Sequence, residues 1–223
     1  MLDYTYANCV DQTSSRLFYA AAAAENLLIY GADVSNAFGE APPPKQGFFI
    51  CPDKAFRNWW ENHKGRAPIP PGYVIPILAA MQGHPEAPRL WEKHADKIIR
   101  ELNLKPTTHE PCLYSGLVHG EQVLFKRQVD DFAVAVPNEA TANIVFDMID
   151  DRITFPLNRM GLITMFNGMD IQQTRDWIKM SCETYIDRVS QKHHAQPHCQ
   201  LRASLSLTSP LQLGTLTKPS KTS

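Results

Sequence analysis

No apolar run in the sequence approaches the roughly 20 residues that a membrane span requires. Met1–Cys9 has no basic start followed by an apolar stretch, so neither a membrane-spanning nor a secreted protein is expected. An excess of charge of one sign is also missing. Lys and Arg number 22 against 23 Asp and Glu, a net charge of −1, so overall charge does not advertise binding to a polyanion. Any nucleic-acid partner would need a local basic surface. Cysteines are few, odd in number (five) and form no CxxC pair, which argues against a disulfide framework and for a reduced, intracellular and cytoplasmic setting. Neither GxxxxGK[ST] nor GxGxxG occurs, so the common phosphate-loop and dinucleotide-binding folds have no support. Glycine is scarce, 11 residues beside 17 prolines, and the prolines crowd into Ala41–Pro44, Ala67–Pro71 and Pro85–Pro88. The middle third is therefore expected to be extended connection.

What is present is a chain of 223 residues, 43% of them hydrophobic, enough to bury a real core. Thr13-Ser14-Ser15 before the alanine-rich Arg16–Asn26 reads as a cap and a helix. Leu27–Val34 reads as a buried strand with Asp33 near its end. Trp91, Ala95, Ile98 and Leu102, at steps of 4, 3 and 4, form one apolar stripe on a helix over Arg89–Leu102, with Pro88 at its first position. Gln122–Gln128 and Phe132–Val136 flank Val129-Asp130-Asp131 and predict a hairpin with an acidic tip. Pro137-Asn138-Glu139 reads as a cap for a helix through Ile149, with Ile144, Val145, Met148 and Ile149 on its buried side. A second hairpin is predicted from Ile163–Ile171 through Thr174-Arg175-Asp176 to Trp177–Ser181, then a helix over Glu183–Gln191. Alternating helix and strand signals predict an α+β fold, with an antiparallel sheet built from the Leu27–Val34 strand and the two hairpins. From Ala195 onward Asp and Glu disappear, and residues 195–223 read as a poorly structured tail beside a domain over 1–194.

Three acids stand out. Asp33 ends a buried strand, and Asp130 with Asp131 occupies a hairpin tip. Adjacent carboxylates between apolar strands repel each other unless something cationic neutralises them. Hard oxygen ligands suit Mg²⁺, and two such ions about 3.5–4 Å apart support phosphoryl transfer. Asp-Asp also occurs in ordinary turns, as at Asp150-Asp151. His193, His194, His198 and Cys199 are zinc-type ligands in a spacing that matches no common zinc pattern. Trp59-Trp60 could stack on bases, but an exposed loop anchor or core packing explains them better.

In its motifs the chain resembles the reverse transcriptases of copia-type LTR retrotransposons. Asp33–Phe38 matches their DVxxAF element, and Pro44–Phe48 their P-x-G-F segment. Met81–Trp91 resembles the LYGLKQAPRxW block, and Gln128–Asp131 the YVDD box. Phe166–Ile171 is similar to the later LG-x-x-I hairpin, and Tyr185-Ile186 to the helix after it. The resemblance implies a polymerase right-hand palm with partial fingers. It implies RNA-directed DNA synthesis, with RNA template, DNA primer, deoxynucleoside triphosphates and other parts of a Pol polyprotein as partners. It makes Asp33, Asp130 and Asp131 the catalytic set for two Mg²⁺ ions, with Mn²⁺ as a substitute. Phe38, Gln82 and Gly83 fall at nucleotide-binding positions, Phe38 where an aromatic crowds the sugar 2′ carbon. Arg89 and Gln128 fall at nucleic-acid-binding positions.

The departures matter as well. Gln128 replaces the aromatic residue of the YVDD box, and Pro85 and Glu86 replace a more basic stretch. The family's upstream basic fingers strands, thumb and RNase H region have no recognisable counterpart here. The alternative is thus a catalytically dead retroelement remnant with at most weak nucleic-acid binding, and the isolated chain is expected to extend primers poorly. A nucleotide cyclase shares the strand-plus-acid-hairpin geometry, but the elements at Asp33–Phe38 and Ala87–Trp91 speak against it.

Overall fold

The computed structural model describes residues 6–192. The chain divides into two compact units, residues 1–185 and 186–223. The expected tail over 195–223 and the His193, His194, His198, Cys199 group lie outside the described residues. Six helices are described: α1 (Gln12–Ala24), α2 (Ala37–Glu40), α3 (Lys54–Lys64), α4 (Ala87–Glu101), α5 (Glu139–Asp150) and α6 (Glu183–Lys192). Among them run β1 (Leu28–Asp33), β2 (Phe49–Ile50), β3 (Ile75–Pro76), β4 (Lys105–Pro106), β5 (Leu113–Val118) and β6 (Glu121–Gln128). These are followed by β7 (Asp131–Val136), β8 (Asn158–Leu162), β9 (Met165–Phe166), β10 (Met169–Gln173) and β11 (Ile178–Ser181). The result is a mixed α/β fold whose strand pairings are all antiparallel. No helix among the described residues is long and apolar enough to cross a membrane.

The central sheet has six strands in the order β4-β5-β6-β7-β1-β8. Strand alternation gives β1, β6 and β7 two apolar faces. One face presents Tyr30, Ala32, Phe125, Phe132, Val134 and Val136 to α4 and α5. There the stripe Trp91, Ala95, Ile98 and Leu102 is fully buried, as its spacing predicts. The other face presents Ile29, Ala133 and Ala135 to α1 and to Ile163, Phe166 and Ile171. Gly31 permits that second contact, because a Cβ there would stand 2.6 Å from Ile163 Cγ2.

Four readings of the sequence need correction. The cap of α1 is Asp11, whose Oδ1 accepts from Thr13 N (2.7 Å) and Ser14 N (3.1 Å); Thr13 and Ser14 already lie in the first turn. The proline-rich middle third is not all connection. It holds the 11-residue α3, capped by Asp53 Oδ1 on Phe56 N (2.7 Å), because no proline falls within Lys54–Lys64. The run Ile163–Ile171 is not one strand, since Asn167 (φ 49°) and Gly168 (φ 75°) form a two-residue turn with both φ positive, as a type I′ hairpin requires. The later hairpin does not join the central sheet: β9, β10 and β11 form a separate three-stranded sheet. The central sheet is completed instead by β8 on one side and by β4 and β5 on the other.

Candidate active site

The end of β1 and the β6–β7 hairpin bring chemistry-bearing side chains into one row. Gln128 pairs with Asp131, Asp131 with Asp33, and Asp33 with Asn158, so the row crosses β6, β7, β1 and β8. Cross-strand partners share a face, and this row continues the face covered by α1. Val34 N–H donates to the Asp130 carbonyl at 3.0 Å. That bond makes Asp33 and Asp131 a non-hydrogen-bonded pair, the type in which opposed Cα atoms are about 4.5 Å apart and side chains are closest. Asp130 sits at the exposed turn beside them.

The electrostatics of the row are unbalanced. Partial burial, followed by the charge of Asp130, raises the Asp33 carboxyl above its ordinary value. Burial, then Asp130, then Asp33 raise Asp131 in the same direction. None of the three carboxylates has a salt bridge or a side-chain hydrogen bond among the described residues. The buried cation on the same face, Lys126, does not serve them. Its Nζ donates to Ser15 Oγ (2.9 Å) and Tyr19 Oη (3.1 Å) and lies 4.4 Å from the ring centres of Tyr19 and Phe166. Burial lowers its pKa to about 8.

A divalent cation suits this donor set by charge and by hard oxygen chemistry. As the side chains stand, no three His, Cys, Asp or Glu residues converge on one metal position among the described residues. The fit therefore rests on the register-paired Asp33 and Asp131, with Asp130 one residue away on the turn.

The other sequence-indicated residues are distributed around this edge. Phe38, in α2, is half-buried and packs on the core beneath α4. Gln82 lines an open cavity of about 790 Å³ together with Asn36, Gly39 and the stretch 76–81. Gly83, the next residue, bends at φ 91°. Phe38 is not among the residues lining that cavity. Arg89 lines a different cavity of about 490 Å³, with Glu92, Lys93, Asp96 and Arg127, and the two cavities share no lining residue. Gln128 Oε1 accepts from Val10 N–H at 3.3 Å, so its side chain ties down the segment leading into α1.

Two members of the site were not singled out for it by sequence. Asn158 joins the row only because β8 pairs with β1, and nothing local marks Asn158–Leu162 as a strand. Trp91 reads as a core residue of its stripe, which it is, yet its Nε1–H also donates to the Val129 carbonyl at 2.7 Å on the acid hairpin. An indole whose N–H is buried needs an acceptor, and that requirement was the available signal.

A family model for reverse transcriptase (RNA-dependent DNA polymerase) matches residues 2–197. Among curated proteins, the transposon Ty5-1 protein of Saccharomyces cerevisiae is similar, at 23% identity over 150 aligned residues. The match covers 63% of this chain and 47% of that protein, so it spans about half the length of the relative.

Proposed function

Because the chain belongs to the reverse transcriptase (RNA-dependent DNA polymerase) family, we propose that the acid edge of its central sheet is the nucleotidyl-transfer centre of a copia-type retroelement polymerase. The observation that carries this reading is the register-locked pairing of Asp33 with Asp131, with Asp130 on the adjoining turn and no ion pair to any of the three among the described residues. On this reading the six-stranded sheet with α4 and α5 is a polymerase palm, and the segment from β2 to β3 is part of the fingers, all within a domain over 1–194.

Asp33, Asp130 and Asp131 would hold two Mg²⁺ ions, or Mn²⁺ in their place. When bound, such ions neutralise phosphate charge and favour an oxygen nucleophile. The chain's own contribution is placement. Backbone pairing fixes two carboxylates opposite each other, while the two bonds to the carbonyls of Val129 and Asp130 hold the third. The cavity beside Gln82 and Gly39, just past the end of β1, is the place for a deoxynucleoside triphosphate, with Gly83 allowing close backbone approach. Phe38 packs on the core and does not line that cavity, so a direct contact with the sugar would require its ring to move. Arg89, on α4, would meet the phosphates of an RNA template or DNA primer.

A second reading, a catalytically silent remnant that binds nucleic acid weakly, is favoured by Gln128, which stands in place of the aromatic residue of the YVDD box and whose side-chain oxygen is taken up by Val10 N–H. One experiment separates the two. The 223-residue protein is assayed on poly-rA/oligo-dT with Mg²⁺ and deoxythymidine triphosphate, beside Asp131→Asn. Extension above that control supports the polymerase reading. Extension equal to the control, with Mn²⁺ binding also unaltered by the substitution, overturns it.

A further inference from the structure

The turn that carries the acid pair is strained. Between the paired residues Gln128 and Asp131 only Val129 and Asp130 intervene, and Val129 has φ 57° while Asp130 is not in the left-handed region. A two-residue hairpin with positive φ at its first central position alone is a glycine arrangement. A β-branched residue is an outlier there, because its Cβ substituents crowd the backbone. Such conformations persist only where the surroundings over-determine them.

The surroundings here are two donors, one for each carbonyl of the turn. Val34 N–H, at the end of β1, holds the Asp130 carbonyl at 3.0 Å. Trp91 Nε1–H, from α4, holds the Val129 carbonyl at 2.7 Å. The indole itself cannot drift: Trp91 is 1% exposed and its ring lies at 14° to that of Phe132, centroids 6.5 Å apart. With the Val129 carbonyl clamped, the peptide plane between Val129 and Asp130 has one orientation, and that plane sets where the Asp130 side chain and the start of β7 point.

We propose that Trp91 is a positioning residue, whose indole N–H keeps Val129 in the left-handed conformation and thereby aims Asp130 and Asp131 at Asp33. The functional side of this rests on Asp33, Asp130 and Asp131 being the cation-holding set.

The test keeps the ring and removes the donor. Trp91→Phe, or β-(3-benzothienyl)alanine at position 91 should phenylalanine fold poorly, is compared with the unaltered chain by two readouts. The first is the HN–Hα coupling of residue 129, which reports its φ. The second is Mn²⁺ affinity by electron paramagnetic resonance. Loss of the donor should move the coupling and weaken Mn²⁺ binding about fivefold or more. Adding Val129→Gly should restore affinity to within about twofold of Val129→Gly alone, although the melting temperature stays lowered, because glycine needs no clamp. A residue acting only as core packing would show no such rescue. An unchanged coupling and unchanged affinity overturn the positioning role, while loss of binding in Asp131→Asn leaves the acid assignment standing. If Asp131→Asn binds Mn²⁺ like the unaltered chain, the acid assignment fails, and the coupling at residue 129 alone decides the clamp.

Discussion

Gln173 uses its side-chain amide as a piece of backbone against Ile29. Its Oε1 accepts from Ile29 N–H at 2.8 Å, and its Nε2 donates to the Ile29 carbonyl at 3.0 Å. The same Nε2 reaches the Ile163 carbonyl at 2.9 Å. One amide thus extends the hydrogen bonding of β1 beyond the end of β8, and this is how the three-stranded sheet is fastened to the central one.

Gln173→Leu should therefore cost about 2–3 kcal/mol, since it leaves the buried Ile29 N–H without a partner. Gln173→Glu should cost more, because a carboxylate would face two carbonyl oxygens. Urea midpoints measured at pH 7 check the order. A glutamate variant as stable as the glutamine chain would show that the bridge carries no weight.

Lys126 makes stability depend on pH in an alkaline window. Its folded pKa of about 8 lies below the ordinary 10.5, so the unfolded chain holds more protons between those values. Its contribution is fully present above pH 10.5 and is lost as pH falls through 8, about 3 kcal/mol in all. Burial pushes the Cys112 thiol up to about 12 and raises Tyr19 as well, and both oppose the rise above pH 9. The difference between the unaltered chain and Lys126→Met isolates the lysine. Unfolding free energies should converge from pH 7.5 toward 10, and parallel curves would refute the buried charge.

How much of this was legible follows from the range of each interaction. The Trp91, Ala95, Ile98, Leu102 stripe is a local, 3.6-residue pattern and survived folding unchanged. The strand ending at Asp33 and the acid tip at Asp130-Asp131 were likewise local, so the two halves of the site could be read separately. Their register could not: Asp33 meets Asp131 rather than Asp130 because of a ladder between segments about a hundred residues apart. The assignment of β10 and β11 to the central sheet failed for a related reason. Alternation marks a strand but not its partner, and the Asn167-Gly168 turn sends the chain into a separate sheet. Asn158 and the tie between Gln128 and Val10 had no local signal at all.

Asp131→Asn should stabilise the fold while removing function. A carboxyl whose folded pKa is raised contributes stability only below its ordinary value of 3.8 and loses it as pH rises through the folded value. At pH 7 the pair is a penalty, and asparagine relieves it by roughly 0.5–1 kcal/mol after discounting for partial exposure. The melting temperature at pH 7 with chelator present should rise by about 1–3 °C. At pH 4 the gain should shrink. A lower melting temperature at pH 7 would mean that the carboxylate makes a favourable contact in the fold.

Arg127 and Glu92 should respond unequally to removal. Arg127 is 1% exposed, and its Nη2 donates to Glu92 Oε1 at 3.3 Å and to Cys112 Sγ at 3.2 Å. Its Nε and Nη1 have no partner among the described residues. Glu92 is better served, since its carboxylate also accepts from Asn8 N (3.2 Å) and Asn8 Nδ2 (2.7 Å). Glu92→Gln strips the guanidinium of its one ion-pair partner among the described residues while leaving it buried, an arrangement that costs about 3 kcal/mol or more. Arg127→Met instead removes the poorly satisfied group and leaves the partly buried Glu92 carboxylate with two donors from Asn8, so it should cost less than Glu92→Gln, about 1 kcal/mol. The double variant should resemble Arg127→Met, because the loss in Glu92→Gln belongs to the stranded arginine. Guanidinium unfolding of all four chains measures the cycle. Equal losses from the two single substitutions, or a double variant as unstable as their sum, would show that Arg127 is satisfied by groups other than Glu92 and that its burial is a net gain.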